Sequence, residues 1–396
     1  MASSKASLLF CYVLTVAATA EAAFFYNVVD LGAKPHGRTD SADAVAAAWS
    51  AACGSRQPAT VYVPKGSFLL SHAAFSGPCS SSRVTLEIDG TLVAPSGYTG
   101  GDEWIMFDHV DGLTVSGGTV DGRGASVWAC KAAGHGSCPN GATSVMVLNS
   151  RDVVISGLRS VNSELYHVVI NGCDGVTVRD VKIVAPGSSP NTDGIHVQGS
   201  SGVTVTRASI RTGDDCVSVG PGTARLRVER VSCGPGHGIS IGSLGKDDDG
   251  VEEAGVENVT VTGASFAGTD NGLRIKTWAR AAARGAYVRG VAFEHATMRD
   301  VRNPIIIDQN YCPNHGGAGC PHQSSAVKIS DVRYTDIQGS SASQVAVKFD
   351  CSASNPCTGI DLQDIRLTLD GGAPAEAVCQ HADGGASGYV VPPSCL

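Results

Sequence analysis

Short runs of β-branched residues alternate with turns of Gly, Asn, Asp and Ser from about residue 83 onward, and no segment there predicts a long helix. The phrase Gly-Val-Thr-Val occurs at 175 and again at 202. The first apolar residue of each unit recurs after 27, 22, 22, 34, 32 and 40 residues, at Val168, Ile195, Val217, Ile239, Leu273, Ile305 and Val345. A minimal step of 22 residues, lengthened by loops, is typical of a β-solenoid that stacks parallel strands. A β-sandwich would also give short strands, but it would not explain the recurring turn phrases.

The segment 24–75 differs from the rest, because it combines a strand, a Gly/Pro turn and an amphipathic pattern. Ser41 is a candidate helix N-cap. Val45, Ala48 and Ala52 form an apolar stripe at helical spacing. We therefore expect a short helix to cap the N-terminal end of the solenoid.

The N-terminus predicts export. Lys5 precedes an apolar run over 6–20, and small residues follow at Ala22 and Ala23. This order is typical of a signal peptide. A transmembrane anchor is the alternative, but a run of about 15 residues is shorter than the ~18 that a spanning helix needs. We predict a signal peptide over 1–22 and one domain over 23–396, with no membrane partner.

Composition narrows the function classes. The 396 residues carry Lys+Arg 29 against Asp+Glu 37, a formal net charge of −8, and 42% of them are hydrophobic. The hydrophobic share excludes a disordered chain. The acidic balance without a basic cluster argues against a nucleic-acid partner. An anionic partner would need a local positive patch.

The cysteines predict disulfides. Cys11 lies in the signal segment, and the short separations among the other 13 favour bridges over metal sites in an exported chain. Nearest-neighbour pairing gives Cys53–Cys79, Cys130–Cys138, Cys216–Cys233, Cys312–Cys320, Cys351–Cys357 and Cys379–Cys395, with Cys173 left as a buried thiol. The sequence contains no paired CxxC motifs, so it does not predict a zinc site. Asn258-Val-Thr is the N-glycosylation sequon that we find.

Charged or titratable residues recur at the same position in three successive repeat units. Asp193, Asp215 and His237 each lie two residues before an apolar anchor, and Asp214 adjoins Asp215. Because stacked strands lie about 4.8 Å apart, these side chains should form a column at the turn that enters each strand. Each residue alone is ordinary turn chemistry, so the shared phase is what predicts a site.

Side chains one residue after each anchor should point to the outer face. These are His196, Ser218, Ser240 and Arg274, and Lys276 has the same parity as Arg274. One protonated and one ionised carboxyl group beside a small gap suit glycoside hydrolysis, and closely spaced like charges separate their pKa values. An Arg/Lys pair on one strand suits a substrate carboxylate.

Four segments resemble the signature segments of the polygalacturonases of glycoside hydrolase family 28, in that family's order: "NTDGIHV" (191–197), "GDDCVSVG" (213–220), "GPGHGISIGSLG" (234–245) and "RIKTW" (274–278). The likeness extends from about residue 25 to the C-terminal cysteine, and "NPIIIDQNYCP" (303–313) looks most like plant members. The resemblance implies an all-β fold, a single-stranded right-handed parallel β-helix. It further implies hydrolysis of the α-1,4 bonds between galacturonic acid units of pectin, with inversion and without a metal or other cofactor.

The resemblance also implies catalytic roles. Asp214 would be the general acid, and Asp193 and Asp215 would hold and activate the water. His237 would tune the acid through hydrogen bonds.

Binding roles follow in the same way. Arg274 and Lys276 would bind the substrate carboxylate, Asn191 would hold the site or the sugar, and Tyr311 would contact the sugar. The disulfide Cys216–Cys233 would tie together the loops beside the acids.

Exo action is favoured over endo action, because "ARAAARGAY" (279–287) follows the Arg-Ile-Lys segment where plant endo-acting members usually have a Gly-rich stretch. This departure, and the lack of a long propeptide, resemble pollen-type exopolygalacturonases. A calcium-dependent lyase, a rhamnogalacturonan hydrolase and a non-catalytic pectin-binding solenoid are the rivals. We predict a secreted, monomeric plant polygalacturonase that acts on de-esterified pectin in an acidic cell wall.

Overall fold

Most coils of the chain contribute three short strands, and equivalent strands of successive coils pair in parallel. The computed structural model describes residues 24–97, 101–134, 137–246, 252–281, 285–312 and 324–396. The predicted signal segment 1–22, with Cys11, lies outside the described residues.

The described strands form two sheets, and we call one of them sheet 1 and the two parts of the other, which long strands join, sheets 2 and 3. Sheet 1 carries Ala73–Ser76, Glu103–Asp108, Thr143–Leu148, Val168–Asn171, Ile195–Gln198, Val217–Val219, Ile239–Leu244, Asn271–Trp278, Asn303–Tyr311, Val345–Asp350 and Glu376–Gln380. Sheet 2 carries Phe24–Asn27, Ala59–Val63, Val84–Ile88, Leu113–Ser116, Arg151–Ser156, Asp174–Arg179, Thr204–Thr206, Ala224–Glu229, Val256–Thr262 and Ala382–Ser387. Sheet 3 carries His36–Asp40, Ser67–Leu69, Thr91–Val93, Thr119–Asp121, Arg159–Val161, Lys182–Val184, Ser209–Arg211, Ser232–Cys233 and Ser265–Ala267. Three long strands run through both sheets 2 and 3: Tyr287–Val301, Lys328–Ser341 and Cys357–Leu369.

The predicted anchors are direct partners along sheet 1 and fill the interior. Val168, Ile195, Val217, Ile239, Leu273 and Ile305 pair in this order and are fully buried. Burying each such side chain stabilises the fold by about 1.5–3 kcal/mol. The predicted parallel β-helix is confirmed. The last anchor was wrong, because Val347, and not Val345, pairs with Ile305; both valines have the same strand parity, so alternation could not separate them.

Sheets 2 and 3 meet at a corner built from residues in the left-handed region. Asp180, Arg207 and Arg230 have φ values of 57°, 52° and 51°. The N–H of Asp180 donates to Thr206 in the next coil, and the N–H of Arg207 donates to Glu229. The corner therefore repeats in register without interrupting the ladder.

The predicted N-terminal helix extends over Ala42–Cys53. Its expected stripe of Val45, Ala48 and Ala52 is buried. Trp49 packs on Phe75, with ring centroids 4.7 Å apart. The helix thus closes the apolar interior at this end.

The predicted capping contact is wrong. The Ser41 side chain makes no cap hydrogen bond. Ser41 Oγ instead accepts from the Lys34 N–H at 3.4 Å, and the Ala42 N–H donates to Asp40 Oδ1 at 3.1 Å. A second short helix, Ala125–Ala132, lies where the sequence predicted none.

The disulfide prediction is confirmed wherever the structure describes both cysteines. The bonds are Cys53–Cys79, Cys130–Cys138, Cys216–Cys233, Cys351–Cys357 and Cys379–Cys395. Cys173 is a buried free thiol, as expected. Cys320 lies outside the described residues, so Cys312–Cys320 stays a prediction. Neither described helix has the length and apolar character needed to cross a membrane.

Candidate active site

The predicted column forms where the chain turns into sheet 1. The Gly194 N–H donates to Asp215 O at 2.9 Å, and the Cys216 N–H donates to Gly238 O at 2.7 Å. These bonds place Asp193, Asp215 and His237 at equivalent positions of three stacked coils. The coils approach closely because Gly238 lacks a side chain: a Cβ there would lie 2.1 Å from a backbone oxygen of the next coil.

Asp215 lies at the centre of the charged cluster of the site. It is 1% exposed, and its Oδ1 accepts hydrogen bonds from Arg274 Nη2 at 2.7 Å and Ser240 Oγ at 2.7 Å. Lys276 Nζ lies 2.8 Å from Oδ2. Burial alone would raise the pKa of Asp215, but the charges of Lys276 and Arg274 hold it well below its usual range. Asp215 is therefore ionised even in acid.

Asp193 has the opposite electrostatic setting. It is 6% exposed, and burial together with the charges of Asp214 and Asp215 raises its pKa well above the usual value. A hydrogen bond with Ser218 opposes this shift only in part. The site therefore combines an ionised carboxylate with a carboxyl group that retains its proton into higher pH.

Asp214 is the carboxylate that reaches the open side of the site, with 17% of its side chain exposed. His237 Nδ1 lies 3.0 Å from Asp214 Oδ1, and Asn191 Nδ2 lies 3.4 Å from Oδ2. The hydrogen bond to Asp214 raises the pKa of His237, although burial opposes the shift. His237 therefore retains its proton to higher pH than an ordinary histidine.

The two predicted carboxylate-binding cations lie deeper than the sequence indicated. The side chains of Arg274 and Lys276 are 11% and 10% exposed, and both contact Asp215. Lys276 Nζ also lies 5.1 Å from the centre of the Tyr311 ring, which packs edge-on against Trp278. The predicted outer face is thus the floor of a recess, and Ser218 and Ser240 are buried within it.

Sequence reasoning missed an aromatic pair beside the acids. The rings of Tyr166 and His196 stack 5.2 Å apart, with an angle of 10° between their planes. Burial and the charge of Asp193 raise the pKa of Tyr166, and burial lowers that of His196. Tyr166 lies two residues before the anchor Val168. The same spacing identified the acids, so it could also have identified Tyr166.

Comparison with known proteins places this geometry in a family. Residues 53–388 match the family Glycosyl hydrolases family 28. The chain belongs to this family. It is 53% identical over 393 residues to a polygalacturonase of Prunus persica, covering 98% of each chain. It is 40% identical to an exopolygalacturonase of Platanus acerifolia, covering 93% of this chain and 96% of that one.

Among solved structures, the polygalacturonase of Erwinia carotovora ssp. carotovora superposes with a TM-score of 0.71 at 25% identity, over 90% of this chain and 97% of that chain. These likenesses confirm the right-handed parallel β-helix and identify the chain as a glycoside hydrolase. The family 28 resemblance found in the sequence is likewise confirmed.

The site of this family 28 enzyme also contains a set of possible metal ligands. Asp214, Asp215 and His237 each offer a ligand atom, all within 4.8 Å of one another. However, Arg274 and Lys276 occupy both oxygens of Asp215, and their charges oppose a cation there. The residues therefore fit a proton-transfer site better than a metal centre.

Proposed function

We propose that this family 28 hydrolase is a secreted, exo-acting plant polygalacturonase that cleaves the α-1,4 bonds of de-esterified pectin with inversion. The observation that carries the proposal is the ionised, buried Asp215 beside two carboxyl groups in different electrostatic settings. The names of the Prunus and Platanus relatives support the same substrate.

In the proposed mechanism, Asp214 donates its proton to the glycosidic oxygen. It is the most exposed of the three carboxyl groups, and its Oδ1 lies 3.0 Å from His237 Nδ1. As the C–O bond breaks, a water molecule adds to the anomeric carbon from the opposite face. Asp215 accepts the proton of that water, and Asp193 orients it.

The remaining recess residues would bind the substrate. The exposed edges of Arg274 and Lys276 would attract a galacturonate carboxylate, while their main contacts keep Asp215 ionised. Tyr311, which lies beside Lys276, and Asn191, which lies beside Asp214, would contact the sugar. The carboxylate-binding role of Arg274 and Lys276 suits a substrate that carries one carboxylate on each unit.

Further parts of the proposal concern the setting of the enzyme. We infer export through the segment 1–22, residence in the cell wall, a monomeric state and no nucleic-acid partner. Asn258, which is exposed on sheet 2, would be glycosylated. No cofactor enters the proposed reaction.

The product profile on polygalacturonate tests the proposal. Release of galacturonic acid monomer from the earliest time, with little loss of viscosity, is the expected exo pattern. Mixed oligomers with a rapid loss of viscosity would instead establish endo action. An unsaturated product that absorbs ultraviolet light and disappears with a chelator would make the enzyme a lyase and overturn the hydrolase mechanism.

A further inference from the structure

The outer face of sheet 3 carries a row of cations that are far apart in sequence. Arg159, Lys182, Arg211 and Arg299 are all exposed on successive or nearby strands of this sheet. We call these four residues the basic strip. Ser209, Ser232, Ser265 and Thr297 continue the line of Arg159 and Lys182 in register along the coil stack. Arg211 and Arg299 lie two residues further along their strands than Ser209 and Thr297.

The strip contains an unfavourable contact that the described residues do not relieve. Arg159 and Lys182 are direct partners on adjacent strands. Such partners lie about 4.8 Å apart, and like charges in this position destabilise a sheet. Within the described part of the chain, no carboxylate forms an ion pair with any of the four cations.

The neighbouring sheet 2 carries both paired and unpaired cations. Arginines lie beside carboxylates in the pairs Arg207–Asp180, Arg289–Glu257 and Arg333–Asp361, whereas Arg83 and Lys328 form no ion pair within the described residues. The basic strip differs because it brings two unpaired cations into direct register on a chain whose net charge is −8. An unpaired row of cations on an acidic protein is the local positive patch that an anionic partner needs.

The arrangement and the position of the basic strip favour a long polyuronate as the anionic partner. Arg159, Lys182 and the four hydroxyl residues form one line along the coil stack, and Arg211 and Arg299 flank this line. Cations and hydroxyls extended along one direction match the carboxylates and hydroxyls of such a chain. Arg211 lies three residues before Asp214 and leads into the turn that carries it. A polymer held on the strip would therefore be kept close to the active site.

We propose that the basic strip is a second binding surface for polygalacturonate, separate from the catalytic recess. This proposal rests on the proposed function, because it takes the polymer to be the substrate. The strip retains a long chain between cleavage events, and a short oligomer that fills only the recess does not reach it.

The test compares two double variants that remove the same charge. Arg159→Ser/Lys182→Ser removes half of the strip, and Arg83→Ser/Lys328→Ser removes two exposed cations of sheet 2 as the matched control. We expect the strip variant to lower kcat/KM on long polygalacturonate about three- to tenfold, the size expected for losing two exposed charge contacts. Its kcat/KM on trigalacturonate should equal that of the wild type, and the control should be unchanged on both substrates.

A binding measurement gives a second readout that does not need turnover. In an Asp214→Asn background, native gels cast with polygalacturonate should retard the chain, and the strip substitutions should reduce this retardation. Added salt should have the same effect, because exposed charges are screened.

Several outcomes would overturn the proposal. These are equal losses on polymer and trimer, equal losses in strip and control variants, or equal retardation by dextran sulfate, which would indicate non-specific charge attraction. Hydrolysis of polygalacturonate with no effect of the strip variant rejects the strip alone. Failure of the wild type to hydrolyse any galacturonan rejects the proposed function, and both fail if the gel also shows no retardation.

Discussion

Asp215 and Asp180 are both held by cations, but in opposite surroundings. Asp215 lies at the entry to sheet 1, 1% exposed, between Arg274 and Lys276. Asp180 lies at the corner of sheets 2 and 3, with 43% of its side chain exposed, and Arg207 binds both its oxygens at 2.6 and 2.8 Å. The contact distances are similar at the two aspartates. The two aspartates differ in the access of water.

Exclusion of water changes what an ion pair can do. The pKa of each aspartate is lowered, but at Asp180 the cause is simply the hydrogen bond with Arg207. At Asp215 the cations must first overcome burial, which alone would raise the pKa. Solvent and salt weaken the exposed pair. The buried pairs instead fix the protonation state of a reacting group, which makes them part of the proposed catalytic machinery.

The largest expected effect comes from Asp215→Asn. This change removes the proposed base and leaves Arg274 and Lys276 buried without their partner, so we expect kcat to fall about 10³- to 10⁴-fold. The melting temperature should also fall, because uncompensated buried charge is destabilising. Steady-state kinetics and thermal unfolding measure the two effects. Activity within a factor of ten of wild type would remove Asp215 from the mechanism.

Asp214→Asn separates the proposed acid from the proposed base. Loss of a proton donor should cut kcat on polygalacturonate about 10²- to 10⁴-fold. An aryl galacturonide with a good leaving group needs no such donor, so its hydrolysis should be largely retained in Asp214→Asn and lost in Asp215→Asn. If Asp193→Asn, rather than Asp214→Asn, shows this selective rescue, then Asp193 is the donor.

The pH dependence of stability should reflect the buried cluster. The folded-state pKa values of Asp193 and His237 are raised from 3.8 and 6.5, so their stabilisation is complete below those values and is lost as pH rises through the folded pKa values. The lowered pKa of Asp215 contributes stability above 3.8 that is lost only in stronger acid. Melting temperatures should therefore decline from mildly acidic toward neutral pH. A profile in Asp193→Asn that declines as steeply as wild type would contradict this assignment.

The smallest effect is expected at the exposed corner. Arg207→Ala removes the partner of Asp180, yet the melting temperature and kcat should remain close to wild type, because exposed ion pairs contribute little. Thermal unfolding at low and high salt checks this. A loss of stability as large as that of Asp215→Asn would show that burial does not distinguish the two ion pairs.

Much of the fold was predictable because the repeat encodes its own register. The anchors from Val168 to Ile305 and five disulfides followed from spacing alone. The error at Val345 arose where a long loop intervened and two valines of one parity were available. The Ser41 prediction failed because the Ser41 hydroxyl accepts from the Lys34 N–H, a contact outside the helix that the residue type does not reveal.

The sequence predicted which residues form the site, but not how deeply they are buried. Phase brought Asp193, Asp215 and His237 together, but it could not show that Arg274 and Lys276 would be buried against Asp215. That burial depends on contacts with other coils, such as those of Arg274 with Ser240 and of Lys276 with Tyr311, and strand alternation contains no information about them. The basic strip was not predicted for a related reason, since its residues come onto one face only through the coil stack.

The most direct test of the central claim is proton NMR of polygalacturonate during the first minutes of hydrolysis by the purified chain. An ionised Asp215 that activates water opposite a protonated donor predicts that the β-anomer of the new reducing end appears first, and that the α-anomer grows in later by mutarotation. Initial release of the α-anomer would mean a retaining reaction and would contradict the proposed roles of the three aspartates. Absence of any new reducing end at acidic pH would contradict the hydrolase itself.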